Sequence, residues 1–557
     1  MQKYQDQIKD LLQQSFKLTN VSLSIPPESR LGDIALPCFS LAKQLKKSPM
    51  EVAAEIKNKL EAADFISKIE VNGGYLNFFI NRTIFIKDTL TEIKDKRDNY
   101  GSSFIGKGKN ALIEHTSINP NASPHVGRAR NALIGDVIAR LLKFQGYSVD
   151  THYFVNDIGK QIAMLLLGVR DKGDVAFKDL LDIYIDINKQ VEENPKKEEE
   201  VFGLLYKLEN GDPEVKNKFR NLVEICIKGQ TEILGELGIK YDTFKYESDY
   251  IWSKRVDEIL EKLMSTNKLE EDEEGRLVLN QKEYNLPMKA PYLVLTRKDK
   301  TSLYPLRDIA YTIDKVETNS EMNIVVLGED QKLYFQQIKA ALDILGYEAP
   351  QPVHYSFVLL AEGKMATRKG NVVLLEDFMK EALLKAIKNM KDRYENIHED
   401  TAKAIAYGAV KYAFLKIANN KNVTFEWDAA LSFEGDSGPY LQYSYARINS
   451  ILRKYGKPLP EKVNFSLLKE NIEFELVKEL SNLQSTVERA LQDTSPHIIA
   501  NYVYEVAKKF SIFYHEYQVL NADNEELKNA RLILIDAIRQ VIKICLGLLG
   551  IETVEYM

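Results

Sequence analysis

The chain has 557 residues, 45% hydrophobic and 28% charged, with a formal net charge of −6. That balance describes several packed cores under a solvated surface, with room for three or four domains, and excludes a disordered or low-complexity chain. No run of about 18 apolar residues occurs, so no membrane span is expected. The slight acidity does not announce a nucleic-acid partner, although a locally basic surface is compatible with it.

In chain order, residues 1 to about 105 read as a small α/β unit. A polar helix over Tyr4–Phe16 shows no apolar core of a secretory signal. A loop, LGDIALP, precedes helices predicted over Pro37–Leu45 and Pro49–Ala62. A strand pair follows in FISKIEVNGGYLNFFI, turning at Asn72-Gly73-Gly74. Next comes a strand, NALIEHTS, a Pro-broken loop, and an amphipathic helix opening near Val126. Ala129, Leu133, Val137 and Leu141 recur at spacings of four, and Gly146 stands where a terminating glycine belongs.

The segment from about 161 to 290 is mostly helical and charged and reads as an insertion, its charge run a solvated face. Strand patterns then resume in YLVLTR, NIVVLGED and HYSFVLLAEGKMATRKGNVVLL, separated by helices such as QQIKAALDILG. The alternation predicts a parallel, doubly wound sheet. From about 376 onward no strand signal persists, and helix follows helix to the end. Cys38, Cys226 and Cys545 are far apart in apolar sequence, which fits core positions in a reducing cytoplasm and gives no Cys-based metal site.

Four segments fall at strand ends or loops of the predicted sheet, where such folds bind ligands. The first carries Glu114, Ser117, Asn119 and His125, with Gly127 in the first helical turn. Free N–H groups and the positive dipole end at that turn favour a phosphate. A neighbouring imidazole can donate to an oxygen where negative charge grows. The second places Tyr304 and Asp308 four apart at a helix start, and the third has Gln331 just past a strand. The fourth, KMATRKGN, puts Lys364, Met365, Arg368 and Lys369 in a Gly-flanked loop suited to a polyphosphate. Taken singly, the last loop reads as a solvated hairpin, and His125 as a surface histidine; together they read as one site.

Six blocks carry a resemblance in order: SINPNASPHVGRARNALIGD, YFVNDIGKQI, YPLRDIAYTIDKVE, KMATRKGNVV, LSFEGDSGPYLQYSYARINSIL and LGLLGIETVEYM. The chain resembles the arginyl-tRNA synthetases, a family of class I aminoacyl-tRNA synthetases. The resemblance implies a multidomain α/β protein. A small N-terminal α/β domain (1–105) would contact the tRNA elbow. A Rossmann-like parallel-sheet catalytic domain (106–375) would carry the helical insertion (about 161–290). A helical connector (376–430) would lead to a C-terminal all-α helical bundle (431–557) that binds the anticodon.

It also implies the activity: ATP-dependent formation of arginyl-adenylate, generally with tRNA(Arg) bound, then transfer of arginine to the 3′-terminal ribose. On matching positions, His125, Gly127 and Arg128 would meet ATP. Lys364, Met365 and Arg368 would hold the nucleotide and its pyrophosphate, with magnesium entering beside them. Glu114 and Asp308 would grip the guanidinium, Tyr304 would pack on it, and Ser117, Asn119 and Gln331 would fix the α-amino and carboxylate ends. Paired carboxylates suit a planar fork of donors. A neutral analogue such as citrulline would strand a buried carboxylate at a cost of roughly 3–5 kcal/mol.

Tyr75 and Asn77 would meet the tRNA elbow, and Tyr440, Tyr443, Arg447 and Met557 its anticodon arm, with some of the bundle tyrosines necessarily in the core. A cytoplasmic monomer without DNA or membrane partners is expected. The chain departs from the family's pattern at Arg128, where a second histidine is usual, at Ala366 and Arg368 in the loop, and at Pro305-Leu306. A class I synthetase for another amino acid and a non-catalytic descendant remain as alternatives at this stage.

Overall fold

The computed structural model describes residues 1–16, 21–60, 63–170, 172, 175–360, 373–391 and 398–557. The N-terminal unit is a three-stranded antiparallel sheet, β1 (Ile34–Pro37), β2 (Ile66–Asn72) and β3 (Tyr75–Ile80), ordered β1-β3-β2. The hairpin turns at Gly73 and Gly74, both with positive φ (57° and 88°), a conformation that glycine adopts without steric cost. The expected loop LGDIALP is in part strand β1. Its Ala35 and Leu36 pair with Asn77 and Leu76, a tertiary partner that no local pattern announces.

At the centre lies a five-stranded sheet of β4 (Asn110–Glu114), β5 (Ser148–Val155), β6 (Thr243–Tyr246), β10 (Met322–Gly328) and β11 (Gln351–Tyr355), ordered β11-β10-β4-β5-β6 with every pairing parallel. The chain fills one side of β4 first and then crosses to the other. The sheet's switch point therefore lies between β4 and β10, where an α/β sheet opens a crevice. The helix Val126–Phe144 starts above that point and buries Ala129, Leu133, Val137 and Leu141 as its periodicity predicts. It ends before Gly146, which has a φ of +91°.

Three sequence expectations need correction. The span from 161 to 290 contains β6, a strand of the central sheet, so it is not wholly an insertion. At four residues, β6 is too short to stand out against the helices around it. YLVLTR contributes β9 (Tyr292–Val294) not to the parallel sheet but to an antiparallel one, with β7 (Leu269–Glu271) and β8 (Leu277–Asn280). The C-terminal third is not strand-free: β13 (Val423–Phe425) pairs in parallel with β12 (Val358–Leu360). From Gly438–Tyr455 to Glu525–Leu548 the remaining elements are helices.

Cys38, Cys226 and Cys545 are free and buried. No helix among the described residues is long and apolar enough to cross a membrane.

One side chain joins the sheet layer to the helical connector. Arg130, fully buried on the Val126–Phe144 helix, donates to the carbonyls of Ser356, Lys421, Ile417 and Ala418 at 2.6–3.4 Å. Replacing it by methionine strands those acceptors. R130M is expected to lower the stability of the first unfolding transition in urea by about 3 kcal/mol or more.

Candidate active-site crevice

Strand β4 delivers Glu114 to the crevice floor, and the chain then turns sharply: Thr116 and Ser117 both have positive φ, 82° and 39°. Non-glycine residues hold such angles only where surrounding contacts enforce them. Here the Asn131 carboxamide oxygen accepts from the Thr116 N–H at 2.5 Å, while its amide donates to the Val326 carbonyl at 2.9 Å, tying loop, helix and β10 together. The Thr116 hydroxyl meets the Tyr241 hydroxyl at 2.7 Å. Gln230, fully buried, donates to the carbonyls of Asn119 and Ala122. His115 packs against Gly135, where any Cβ would come within 2.3 Å of its ring.

Asp308 arrives from another direction, on the Tyr304–Glu317 helix. Its carboxylate accepts from the Tyr334 hydroxyl at 2.9 Å and from Thr312 at 3.5 Å. Burial pushes the Asp308 carboxyl up to about 6; nearby Lys315 opposes the rise, and Glu114 adds to it by like-charge repulsion. Glu114 and Asp308 therefore lie close enough to sense each other's charge. Lys315 is buried and ion-paired to Glu114, whose other oxygen faces the Ser117 hydroxyl at 3.5 Å. Tyr304, about one-third exposed, stacks on Tyr334 with centroids 5.6 Å apart and forms the pocket wall. Behind it, the buried Glu247 accepts from Arg307 at 2.5 Å; desolvation lifts its carboxyl to about 7 against the pull of that guanidinium.

His125 precedes the first turn of the Val126–Phe144 helix in extended conformation. Its neighbours Pro124 and Val126 pair by backbone with Leu375 and Val373. Burial, and then the Arg128 charge, pushes the imidazole down to about 4, so it is neutral at pH 7. Its Nδ1 is buried and has no partner among the described residues. Gly127 and Arg128 follow in the first turn, half-buried. Lys364, Met365 and Arg368 lie outside the described residues. The segments flanking that stretch are β12 on one side and, on the other, Val373–Leu375 against Pro124–Val126.

The remaining positions divide. Gln331 is half-buried between β10 and the Lys332–Ile344 helix, at the carboxyl edge of the sheet. Asn119 is exposed, and its amide donates to Gln161 at 3.1 Å instead of joining the carboxylates. Tyr75 is 40% exposed and meets Phe39 edge-on. Asn77 is only 5% exposed, with its Cβ against Gly32.

On the Gly438–Tyr455 helix, Arg447 lies over the rings of both Tyr443 and Tyr514, at 4.5 and 4.6 Å from their centroids. Tyr440 donates to the Ala507 carbonyl, and Tyr445 is a core residue bonded to Glu555. Met557 packs half-buried on the core.

Sequence reading missed Lys315 and Tyr334. Asp308, Thr312 and Lys315 form an i, i+4, i+7 polar stripe on an otherwise buried helix face, and that stripe was the available signal.

A parallel sheet with its crevice at the switch point, a helix N-terminus beside a histidine, and two mutually sensed acids fit a class I synthetase type of catalytic domain. Residues 89–427 match the family described as tRNA synthetases class I (R), catalytic domain. Residues 2–80 match the arginyl tRNA synthetase N terminal domain, and residues 441–557 the DALR anticodon binding domain. The arginine–tRNA ligases of Methanocaldococcus jannaschii and Clostridium perfringens are each 37% identical, over 96% of both chains. The solved arginyl-tRNA synthetase of Thermus thermophilus superposes over the full length of both chains, with a TM-score of 0.83 at 26% identity. A methionyl-tRNA synthetase from Mycobacterium tuberculosis shares the fold at 13% identity, covering 80% of this chain and 91% of its own, with a TM-score of 0.54. The chain belongs to the class I arginyl-tRNA synthetase family.

The Asp308 carboxyl has a consequence for stability. Its folded value of about 6 stands above the ordinary 3.8, so the ionised form costs folding free energy that is absent below pH 3.8 and fully present once pH has risen through 6. D308N is therefore expected to stabilise the ligand-free protein at pH 8 by about 2 kcal/mol, a gain that fades on acidification below pH 6, as followed by urea denaturation.

Proposed function

We propose that the chain activates L-arginine with ATP and transfers it to the 3′-terminal ribose of tRNA(Arg). As a member of its family it is an aminoacyl-tRNA ligase. What supports the choice of amino acid is that Glu114 and Asp308 lie within reach of each other's charge, with Lys315 paired to Glu114. Two carboxylates with Tyr304 as a wall offer a planar cation both a bidentate charge partner and a ring to stack on.

In the first step an oxygen of the arginine carboxylate attacks the α-phosphorus of ATP, and pyrophosphate leaves. His125, neutral at pH 7, donates an N–H to the α-phosphate oxygens as charge builds there, while the helix N-terminus at Gly127 faces the same anion. Arg128 supplies the permanent positive charge that an uncharged imidazole does not. Lys364, Met365 and Arg368 hold the nucleotide and the departing pyrophosphate, and magnesium enters with the triphosphate as part of the substrate. Ser117, Asn119 and Gln331 fix the α-amino and carboxylate ends, which requires Asn119 to exchange its Gln161 partner for substrate. In the second step a ribose hydroxyl attacks the activated carbonyl and AMP leaves.

Tyr75 in the N-terminal unit is the surface group proposed for the tRNA elbow. Tyr440, Tyr443, Arg447 and Met557 belong to the anticodon-side surface of the bundle. Of these, the cluster of Tyr443, Arg447 and Tyr514 offers the mixed aromatic and cationic surface on which an unstacked base would lie. We place the protein in the cytoplasm as a monomer.

Aminoacylation of bulk tRNA with each of the twenty amino acids should give product with arginine alone. E114Q is expected to raise KM for arginine at least about 100-fold with KM for ATP nearly unchanged. H125A is expected to lower kcat about 100-fold. Separately, arginine-dependent ATP–pyrophosphate exchange should require tRNA(Arg); equal exchange without tRNA would refute that ordering.

A further inference from the structure

Lys315 sits where no ordinary structural demand explains it. Its side chain is 3% exposed, pairs with Glu114, and lies 4.4 Å from the centroid of the Tyr311 ring. Burying an ammonium costs several kcal/mol unless its partner returns the loss. Its partner is no scaffold carboxylate but one of the two acids assigned to the guanidinium. The ammonium takes one oxygen of Glu114 and leaves the other facing the Ser117 hydroxyl on the loop.

The charges around Asp308 can be followed on every element packed against it. Glu114 faces it from β4, and Lys315 and Tyr304 from its own helix. The Tyr334 hydroxyl reaches it from the Lys332–Ile344 helix, and Glu247 faces it already paired to Arg307. His152, beside Glu114 on β5, is held in its neutral form chiefly by burial. The uncompensated formal charges are two carboxylates and one ammonium. Their sum is a single negative charge, the complement of one guanidinium.

We propose that Lys315 is a positioning residue of the arginine pocket: it orients Glu114 by holding one carboxylate oxygen, and it trims two acids to the net charge that one guanidinium neutralises. Without it, two carboxylates face each other in a desolvated crevice and compete for protons, and a protonated Asp308 is a poor guanidinium acceptor. The inference rests on the arginine reading given above.

The test is arginine-dependent ATP–pyrophosphate exchange by the full-length protein with tRNA(Arg) present, between pH 5.5 and 8.5. For K315M, KM for arginine should rise about 30-fold at pH 7, while KM for ATP and kcat at saturating arginine stay within about threefold. The pH below which arginine KM climbs should also move upward from near 6 by about one unit, because the Lys315 charge holds the Asp308 carboxyl down. K315R, which keeps the charge, should return that midpoint toward the wild-type position. If K315M does not fold, K315Q is read in the same way. A rise in arginine KM that is uniform across pH, or one shared by ATP, assigns Lys315 to packing and overturns the inference. A wild-type protein that uses arginine alongside a K315M with an unchanged profile sinks this inference alone; a wild-type protein inert toward arginine sinks the functional reading beneath it.

Discussion

Two carboxylates brought together in a crevice with little water repel each other and resist ionisation, and the site depends on how that repulsion is managed. Glu114 rides on a central strand and Asp308 on a helix nearly two hundred residues later, so neither can drift away without unpacking its element. The compensation is distributed. An ammonium from two turns farther along the helix, a tyrosyl hydroxyl from the next helix, and a threonine each contribute an interaction that favours the charged form. In the proposed arginine site, a bound cation relieves the residual cost. Binding energy of this kind is selective because an uncharged mimic leaves the repulsion in place.

The loop after Glu114 obeys a related logic. Two consecutive non-glycine residues at positive φ would relax in a free peptide. They persist because Asn131 grips the backbone from the helix side and Tyr241 meets the Thr116 hydroxyl, while Gln230 fastens the next turn. None of these residues needs to touch a ligand to matter. They fix the path from strand to helix, and so the relation between the acid at the start of the loop and the imidazole at its end.

Much of this was legible in the sequence because the informative residues are local. The Val126–Phe144 helix announced itself by its period of apolar residues, its start after a Pro-rich loop and its terminal glycine. Tyr304 and Asp308 were placed at a helix start by a polar pair ahead of an apolar run. What escaped depended on partners. Strand β1 exists because β3 is beside it, and β6 and β13 are short and lie among helices. Strand alternation puts Asn77 on the Tyr75 face, and its packing against Gly32 comes from a segment that no local pattern announces. Lys315 escaped because a lysine near a helix C-terminus ordinarily serves the helix dipole, and only the tertiary fold turns it inward.

Arg130 lies five residues beyond His125, slightly more than one helical turn away, with its guanidinium locked onto carbonyls at the end of the connector helix and at the exit of β11. An α-helix is stiff over so short a distance, so the imidazole and that carbonyl nest behave as two ends of one rod. Torque applied to the helical connector from the bundle side would reach the His125 end of the crevice through this linkage and the packing around it, without any rearrangement of the sheet.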